Sequence, residues 1–253
     1  MEDIAIKSNH NLLKTVPDLL FISLSNYAYV EMTENHLLSL KRNNIDNHIA
    51  FVLDEESYEV LSNKGYNVSL YKNINELEYL NFASPKFNNI SFFRWHIINK
   101  LLENNIKTWY LDIDTVVLHN LNLLLPHTNG AELVIQNDIN MLCSGCMLFI
   151  PSPNTIQLTK FVIDNKSEQC NDQIFLNNFL RSGKLNIKLQ LFSIFKFPNG
   201  LLFFNELHGN PVFRNYQKKF LESNEDVLFV HANWMTGKET KIKALKDKNL
   251  WYL

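Results

Sequence analysis

With 253 residues, 46% of them hydrophobic, and a net charge of −2 from 24 Lys and Arg against 26 Asp and Glu, the chain has material for one α/β domain with a sizeable core. That balance excludes the basic face of a nucleic-acid binder, and no apolar run reaches the length that spans a bilayer. Three cysteines leave one unpaired in any disulfide scheme, and no signal-peptide layout or membrane anchor is visible, so the expected setting is reducing and cytoplasmic.

In chain order, Asp18 to Ser25 predicts a first strand, and Val30 to Arg42 a helix from its apolar spacing. Ile49 to Leu53 is a second strand ending on Asp54, Glu55 to Lys64 a helix stopped by Gly65, and Asn67 to Tyr71 a short third strand. In an open parallel sheet a ligand lies beyond the carboxyl ends of the strands, which makes Ser25, Asn26 and Asp54 candidates to hold a nucleoside. The same residues are also ordinary turn formers. Ile90 to Asn104 predicts a helix, and its Arg94 is either solvated surface or a phosphate contact at the mouth of a site.

Ile106 to Leu118 is the chemically distinctive stretch, an apolar run that reads as a buried strand of a parallel sheet yet carries Asp112 and Asp114. Residues i and i+2 of an extended segment point to one side, so the two carboxylates converge. Held together partly out of water they repel, and a divalent cation between them resolves the conflict. Asp-x-Asp also occurs by chance on solvated loops; the apolar flanks set this one apart.

Further strands are predicted at Leu133 to Gln136 and Met141 to Ile150, the latter starting with Ser144 and Gly145, where a glycine permits close approach of the backbone to a ligand. Cys143 and Cys146 lack a second ligand pair at zinc-site spacing and read as ordinary buried residues. Ile156 to Asn165 and Cys170 to Leu180 predict helices, the second with Asp172 and Gln173 in its first turn, where the helix dipole alone would favour an acid. The later part predicts short strands at Phe192 to Phe197, Leu201 to Phe204 and Val227 to His231, with Pro198-Asn199-Gly200 as a turn. His231 is a candidate ligand for a borderline divalent ion, and Gly237 with nearby lysines a candidate phosphate cradle.

Taken together, Trp109 to Val117, Ser144 to Ile150, Asn171 to Phe175, Phe197 to Gly200 and Val230 to Gly237 with Lys241 resemble the nucleotide-diphospho-sugar transferases. More narrowly, the order of motifs is similar to that of retaining GT-A glycosyltransferases, the group that includes plant cell-wall xylosyl- and arabinosyltransferases. The resemblance implies a GT-A fold, a single Rossmann-like α/β domain over residues 1–253, with 1–118 as nucleotide-binding half and 119–253 as donor-sugar and acceptor half. It implies Mn²⁺ or Mg²⁺ bound by Asp114 and His231, with Asp112 on the metal, its water or the ribose. Gly237 and Lys241 would face the phosphates, and Asp172 and Gln173 would lie by the donor sugar at the reacting face. The implied partners are a nucleotide-sugar donor, usually UDP-linked, and a glycan acceptor. Retention would follow a same-face displacement, the favoured route, or a covalent intermediate on a carboxylate such as Asp172. Ser144-Gly145 departs from the family's frequent Asn or Thr-Gly and bears on sugar selectivity. The compact N-terminal part, without anchor or stem, points to a bacterial or viral enzyme. Two rival readings are a haloacid-dehalogenase-like phosphatase, from Asp112-Ile-Asp-Thr-Val-Val117, and a nucleotide-sugar-binding module that does not turn over.

Overall fold

The computed structural model describes residues 4–15, 17–72, 84–167 and 169–253. A two-residue strand, β1 (Lys7–Ser8), and one helical turn, α1 (Leu12–Thr15), lead into β2 (Leu19–Ser25), all of whose residues are buried. Helix α2 (Val30–Arg42) follows, then β3 (His48–Val52), α3 (Glu55–Asn63) and β4 (Val68–Leu70). Gly65, at φ +81°, turns the chain after α3 as its sequence position predicts.

The single helix expected over Ile90 to Asn104 is two, α4 (Pro85–Ser91), capped by Ser84 with Pro85 at its start, and α5 (Phe93–Glu103), joined at the buried Phe92. The apolar run after them is also broken. β5 (Lys107–Leu111) ends before Asp112, and β6 (Thr115–Val117) begins after Asp114 in a different sheet. The two carboxylates thus sit on a turn rather than along one strand. Then come β7 (Leu133–Asn137), β8 (Leu142–Phe149), α6 (Pro153–Asp164), α7 (Asp172–Arg181) and β9 (Leu189–Leu191).

The expected strands at Phe192 to Phe197 and Leu201 to Phe204 are absent. The first is a turn whose Phe192 and Phe197 join a ring column running through Phe21, Trp109, Phe192, Phe197 and Phe229, with successive centroids 5.1, 5.3, 4.3 and 5.4 Å apart. The second is helix α8 (Gly200–Phe203), because the Asn199 side chain accepts from the Leu202 amide and caps it. Helix α9 (Pro211–Leu221), capped by Asn210, strand β10 (Phe229–His231) and helix α10 (Lys238–Asp247) complete the chain.

The main sheet has the order β1-β4-β3-β2-β5-β8-β7-β9. β4, β3, β2 and β5 are mutually parallel, β8 runs against them between β5 and β7, and β7 and β9 share the direction of β5. Along β2 alternate residues enter opposite cores: Leu20, Ile22 and Leu24 pack with Trp95 and Leu101 of α5 and Leu158 of α6, and Leu19 and Phe21 with Leu37 and Leu40 of α2. Both faces are covered, which is why this strand is apolar throughout. β10 pairs antiparallel with β6 in a separate ribbon. Among the described residues no helix is long and apolar enough to cross a membrane.

Candidate active site

Because β8 is antiparallel to β5, its first residues lie beside the carboxyl end of β5, and the Asp112 amide donates to the Gly145 carbonyl at 2.8 Å. The Thr115 hydroxyl donates to the Asp112 carbonyl at 2.6 Å and closes the turn that carries both carboxylates. β10 registers His231 opposite Thr115, and the Ala232 amide donates to the Asp114 carbonyl at 2.8 Å. The His231 Nε2 atom consequently stands 3.1 Å from Asp114 Oδ1 and 3.9 Å from Asp112 Oδ2. One ligand atom from each of the three residues lies within 4.8 Å of the others.

The donor set fits a divalent cation. Two carboxylates supply hard oxygen ligands and the imidazole a borderline nitrogen, a mixture that suits Mn²⁺ or Mg²⁺. The imidazole is also correctly presented: Gln136 Nε2 donates to the Phe197 carbonyl at 3.1 Å, so its Oε1 accepts from His231 Nδ1 at 2.9 Å and leaves Nε2 towards the carboxylates. Gly145 makes room for the group. A Cβ there would lie 2.4 Å from Asp112 Oδ2 and 2.5 Å from His231 Cε1, so the close approach at this glycine is to the candidate ligands themselves.

Burial opposes ionisation of Asp114, but Lys241, whose Nζ donates to Oδ2 at 2.5 Å, and His231 outweigh it and hold the carboxyl far below the usual carboxylate range. For His231, burial is likewise overcome by Asp114, and the imidazole is raised above its ordinary value. Lys241 reaches Asp114 from α10, whose first carbonyl belongs to Gly237 in the left-handed region at φ +91°.

Arg94 is not surface. Its side chain is buried under the site, donating from Nη1 to Asp112 Oδ1 at 2.9 Å and to the Ser144 carbonyl at 3.3 Å, with Nε 3.4 Å from Asp172 Oδ2. Asp172 is buried at the start of α7 and also accepts from Trp95 Nε1 at 2.9 Å, while the Tyr110 hydroxyl donates to Asp112 Oδ1 at 2.7 Å. Arg94 therefore ties Asp112 to Asp172, and a solvated role for it is excluded. Gln173 accepts from the Ser144 amide at 3.1 Å and donates to Met141 Sδ at 3.0 Å, which sets its amide beside the start of β8.

The three residues predicted to hold a nucleoside lie at the ends of β2 and β3 but are internally engaged. Asp54 caps α3, accepting from Ser57 N at 2.7 Å on Oδ1 and from Tyr27 N at 2.9 Å on Oδ2, so it fixes the loop after β2 and offers no free carboxylate to a ligand. The Ser25 hydroxyl bonds Thr33 Oγ1 at 2.6 Å, and Asn26 is buried beside it. Sequence reasoning missed Gln136, Tyr110, Trp95 and Asp138. The last is buried just beyond β7, and its Oδ1 accepts from Asn199 at 2.6 Å, Trp234 Nε1 at 2.7 Å and Asn233 at 3.4 Å. Asn137 and Asp138 at the strand's end, with Asn140 after Ile139, were the available signal, and they read as a turn.

A model of the nucleotide-diphospho-sugar transferases matches residues 43–245, most of the chain and every residue of the Asp112, Asp114 and His231 cluster. The chain belongs to that family. The transferase is 22% identical over 254 residues to UDP-D-xylose:L-fucose α-1,3-D-xylosyltransferase MGP4 of Arabidopsis thaliana, covering 89% of this chain and 68% of the relative. In fold it is similar to the galactosyltransferase LgtC solved with donor and acceptor sugar analogues, at a TM-score of 0.56 and 15% identity over 92% of this chain and 95% of the other. It is also similar to the apo form of the glycosyltransferase GlyE of Streptococcus pneumoniae, at 0.60 and 14%, where it covers 94% of its own length but 61% of the GlyE chain. The fold is GT-A and the enzyme is a nucleotide-sugar glycosyltransferase, which removes the phosphatase reading: the acidic pair follows the fifth strand of the chain rather than the first.

Proposed function

We propose that this transferase moves a sugar from a UDP-linked donor to a hydroxyl of a glycan or glycoconjugate, with retention, using Mn²⁺ or Mg²⁺ held by Asp112, Asp114 and His231. The observation that carries the reading is the convergence of those three ligands over Gly145, where no side chain but hydrogen fits. The named activity of the xylosyltransferase relative favours UDP. A divalent ion there supplies positive charge to the diphosphate as the anomeric C–O bond breaks and the leaving group gains charge.

The chain's own groups do the rest. The nucleoside lies in the crevice beyond the carboxyl end of β2, at the β2–β5 boundary where strand order reverses. Lys241 and the amides opening α10 at Gly237 add positive charge for the phosphates. Asp172 acts as a positioning residue: it is buried, and the Oδ2 bound by Trp95 and Arg94 is a poor nucleophile. That favours same-face displacement, in which the departing phosphate receives the acceptor's proton and Gln173 lines the sugar side. Calorimetric titration of UDP, GDP and their sugar conjugates, with and without Mn²⁺, tests the assignment. UDP binding lost without metal and lost in Asp114→Ala is expected; metal-independent or absent nucleotide binding by folded protein refutes it.

A further inference from the structure

Trp234 combines features that the donor-site reading above does not use. It is 41% exposed, yet its indole N–H is bonded to the buried Asp138, and its backbone is left-handed at φ +59°. A bulky residue is strained there and persists only where its surroundings over-determine it. Those surroundings are rigid. Asp138 Oδ1 also accepts from Asn199, and the Asn233 side chain accepts from the Gly200 amide at 2.7 Å; a Cβ on Gly200 would meet the Asn233 carbonyl at 1.7 Å. Phe213 of α9 stands edge to face against the indole, centroids 5.2 Å apart, and His208 stands likewise against Phe213 at 5.0 Å. Gln217, buried in α9, holds that segment by accepting from the His208 amide at 2.7 Å and donating to the Leu201 and Glu206 carbonyls at 2.9 Å.

The position decides what such a ring can serve. Trp234 follows the metal-ligand candidate His231 by three residues, a span of at most about 11 Å. In strand order, β3 and β2 lie on one side of β5 and its Asp112, and β8 and β7 on the other; Trp234 is anchored at the β7 end through Asp138. The nucleoside crevice and the indole are therefore on opposite flanks of the acidic cluster. With the nucleoside assigned to the β2 flank, the indole's flank is the side left open for an acceptor hydroxyl to approach the anomeric carbon. A pyranose presents a face of axial C–H groups that packs on an aromatic ring while its hydroxyl rim stays hydrated or bonded.

Resting on the donor-site reading above, we infer that Trp234, buttressed by Phe213, is a stacking platform for a pyranose ring of the acceptor. The test measures binding of methyl glucoside, galactoside, xyloside and fucoside by saturation-transfer NMR on the UDP–Mg²⁺ form of the full chain, the diamagnetic ion keeping the glycoside signals sharp, with UDP affinity measured separately by calorimetry. Trp234→Gly relieves the left-handed strain and removes the ring, and Trp234→Phe keeps a ring without the N–H. The expected result is that at least one glycoside binds the wild type, weakens by about tenfold or more in Trp234→Gly and less in Trp234→Phe, while UDP affinity stays within about twofold. The platform is refuted if no glycoside binds, if Trp234→Gly binds glycoside like the wild type, or if that variant loses UDP instead, which would make the indole a base-stacking surface. Failure of UDP to bind the wild type would strike the donor reading and is recorded by the calorimetry alone.

Discussion

Gly145→Ala isolates the metal assignment, because it adds one methyl group at the point where two of the candidate ligands meet the strand. Built on the observed backbone, the new Cβ lies 2.4 Å from Asp112 Oδ2 and 2.5 Å from His231 Cε1. To regain van der Waals contact each group has to retreat by about 1 Å. Asp112 has some freedom, its side chain being 28% exposed, although Arg94 and Tyr110 hold its other oxygen. His231 has none, since it is buried and bonded on both nitrogens, to Gln136 and to Asp114. Ligand distances tolerate about 0.2 Å, so the substitution is expected to cost at least about 100-fold in Mn²⁺ affinity, or ~2.7 kcal/mol. Overpacking should lower stability by about 1–3 kcal/mol. Calorimetric Mn²⁺ titration reads the first and chemical denaturation the second, with Gly209→Ala, where a Cβ meets nothing within 4 Å, as control. A folded Gly145→Ala protein that binds Mn²⁺ within about threefold of the wild type would show that the cluster is not where the ion sits.

Gln136→Leu should leave His231 unanchored and weaken Mn²⁺ binding by about 10- to 100-fold, measured by paramagnetic resonance of free Mn²⁺, with the fold retained by circular dichroism. Arg94→Met strands Asp112 and Asp172 beneath the site and is expected to lower unfolding free energy by about 3–5 kcal/mol in urea titrations; Arg94→Lys, which cannot serve both carboxylates in the same fork, should recover only part of it. Burial lowers His36 from 6.5 to about 4, and the unfolded chain therefore binds the extra proton between those values. Stability should then fall as pH drops from 6.5 to 4, by about 3 kcal/mol for this group, and His36→Gln should flatten the slope in denaturation series.

Much of the framework was legible because burial on both faces leaves a plain mark. The strands read at Asp18 to Ser25 and Ile49 to Leu53 are found at Leu19–Ser25 and His48–Val52, and Gly65 is the stop after α3. Other elements were hidden by ambiguity that only tertiary context resolves. Thr115 to Val117 is as apolar as Lys107 to Leu111, so nothing local marks the change of sheet between them. Leu201 to Phe204 looks like a strand by composition, although Asn199 before it, like Asn210-Pro211 before α9, is a helix-start signal that prevails in the fold. In the site, carboxylates inside an apolar run and a histidine at a strand end betrayed themselves by being out of place. Gln136, Asp138 and the buried state of Arg94 did not, because each is explained by a partner distant in sequence: the Phe197 carbonyl, Trp234 and Asp172.

The dependence of the site on distant packing follows from the β6–β10 ribbon. His231 faces the acidic pair only in the register that sets Phe229 opposite Val117 and Val230 opposite Val116. In that register Phe229 lies on the same side as His231, their rings 6.3 Å apart, and enters the aromatic column with Phe197, while Val230 packs on Leu245 and Leu250. A slip by one residue would exchange the two faces, driving Phe229 out of the column and turning the imidazole towards the aliphatic cluster. The apolar cost of that exchange, about 1.5–3 kcal/mol for each large side chain moved, falls on residues that never touch a ligand. Phe197 has a second hold, since its carbonyl orients Gln136 and through it the His231 tautomer. The ring column thus sets both the position and the orientation of the imidazole, and the geometry of the cluster is specified in the core beneath it as much as by its three residues.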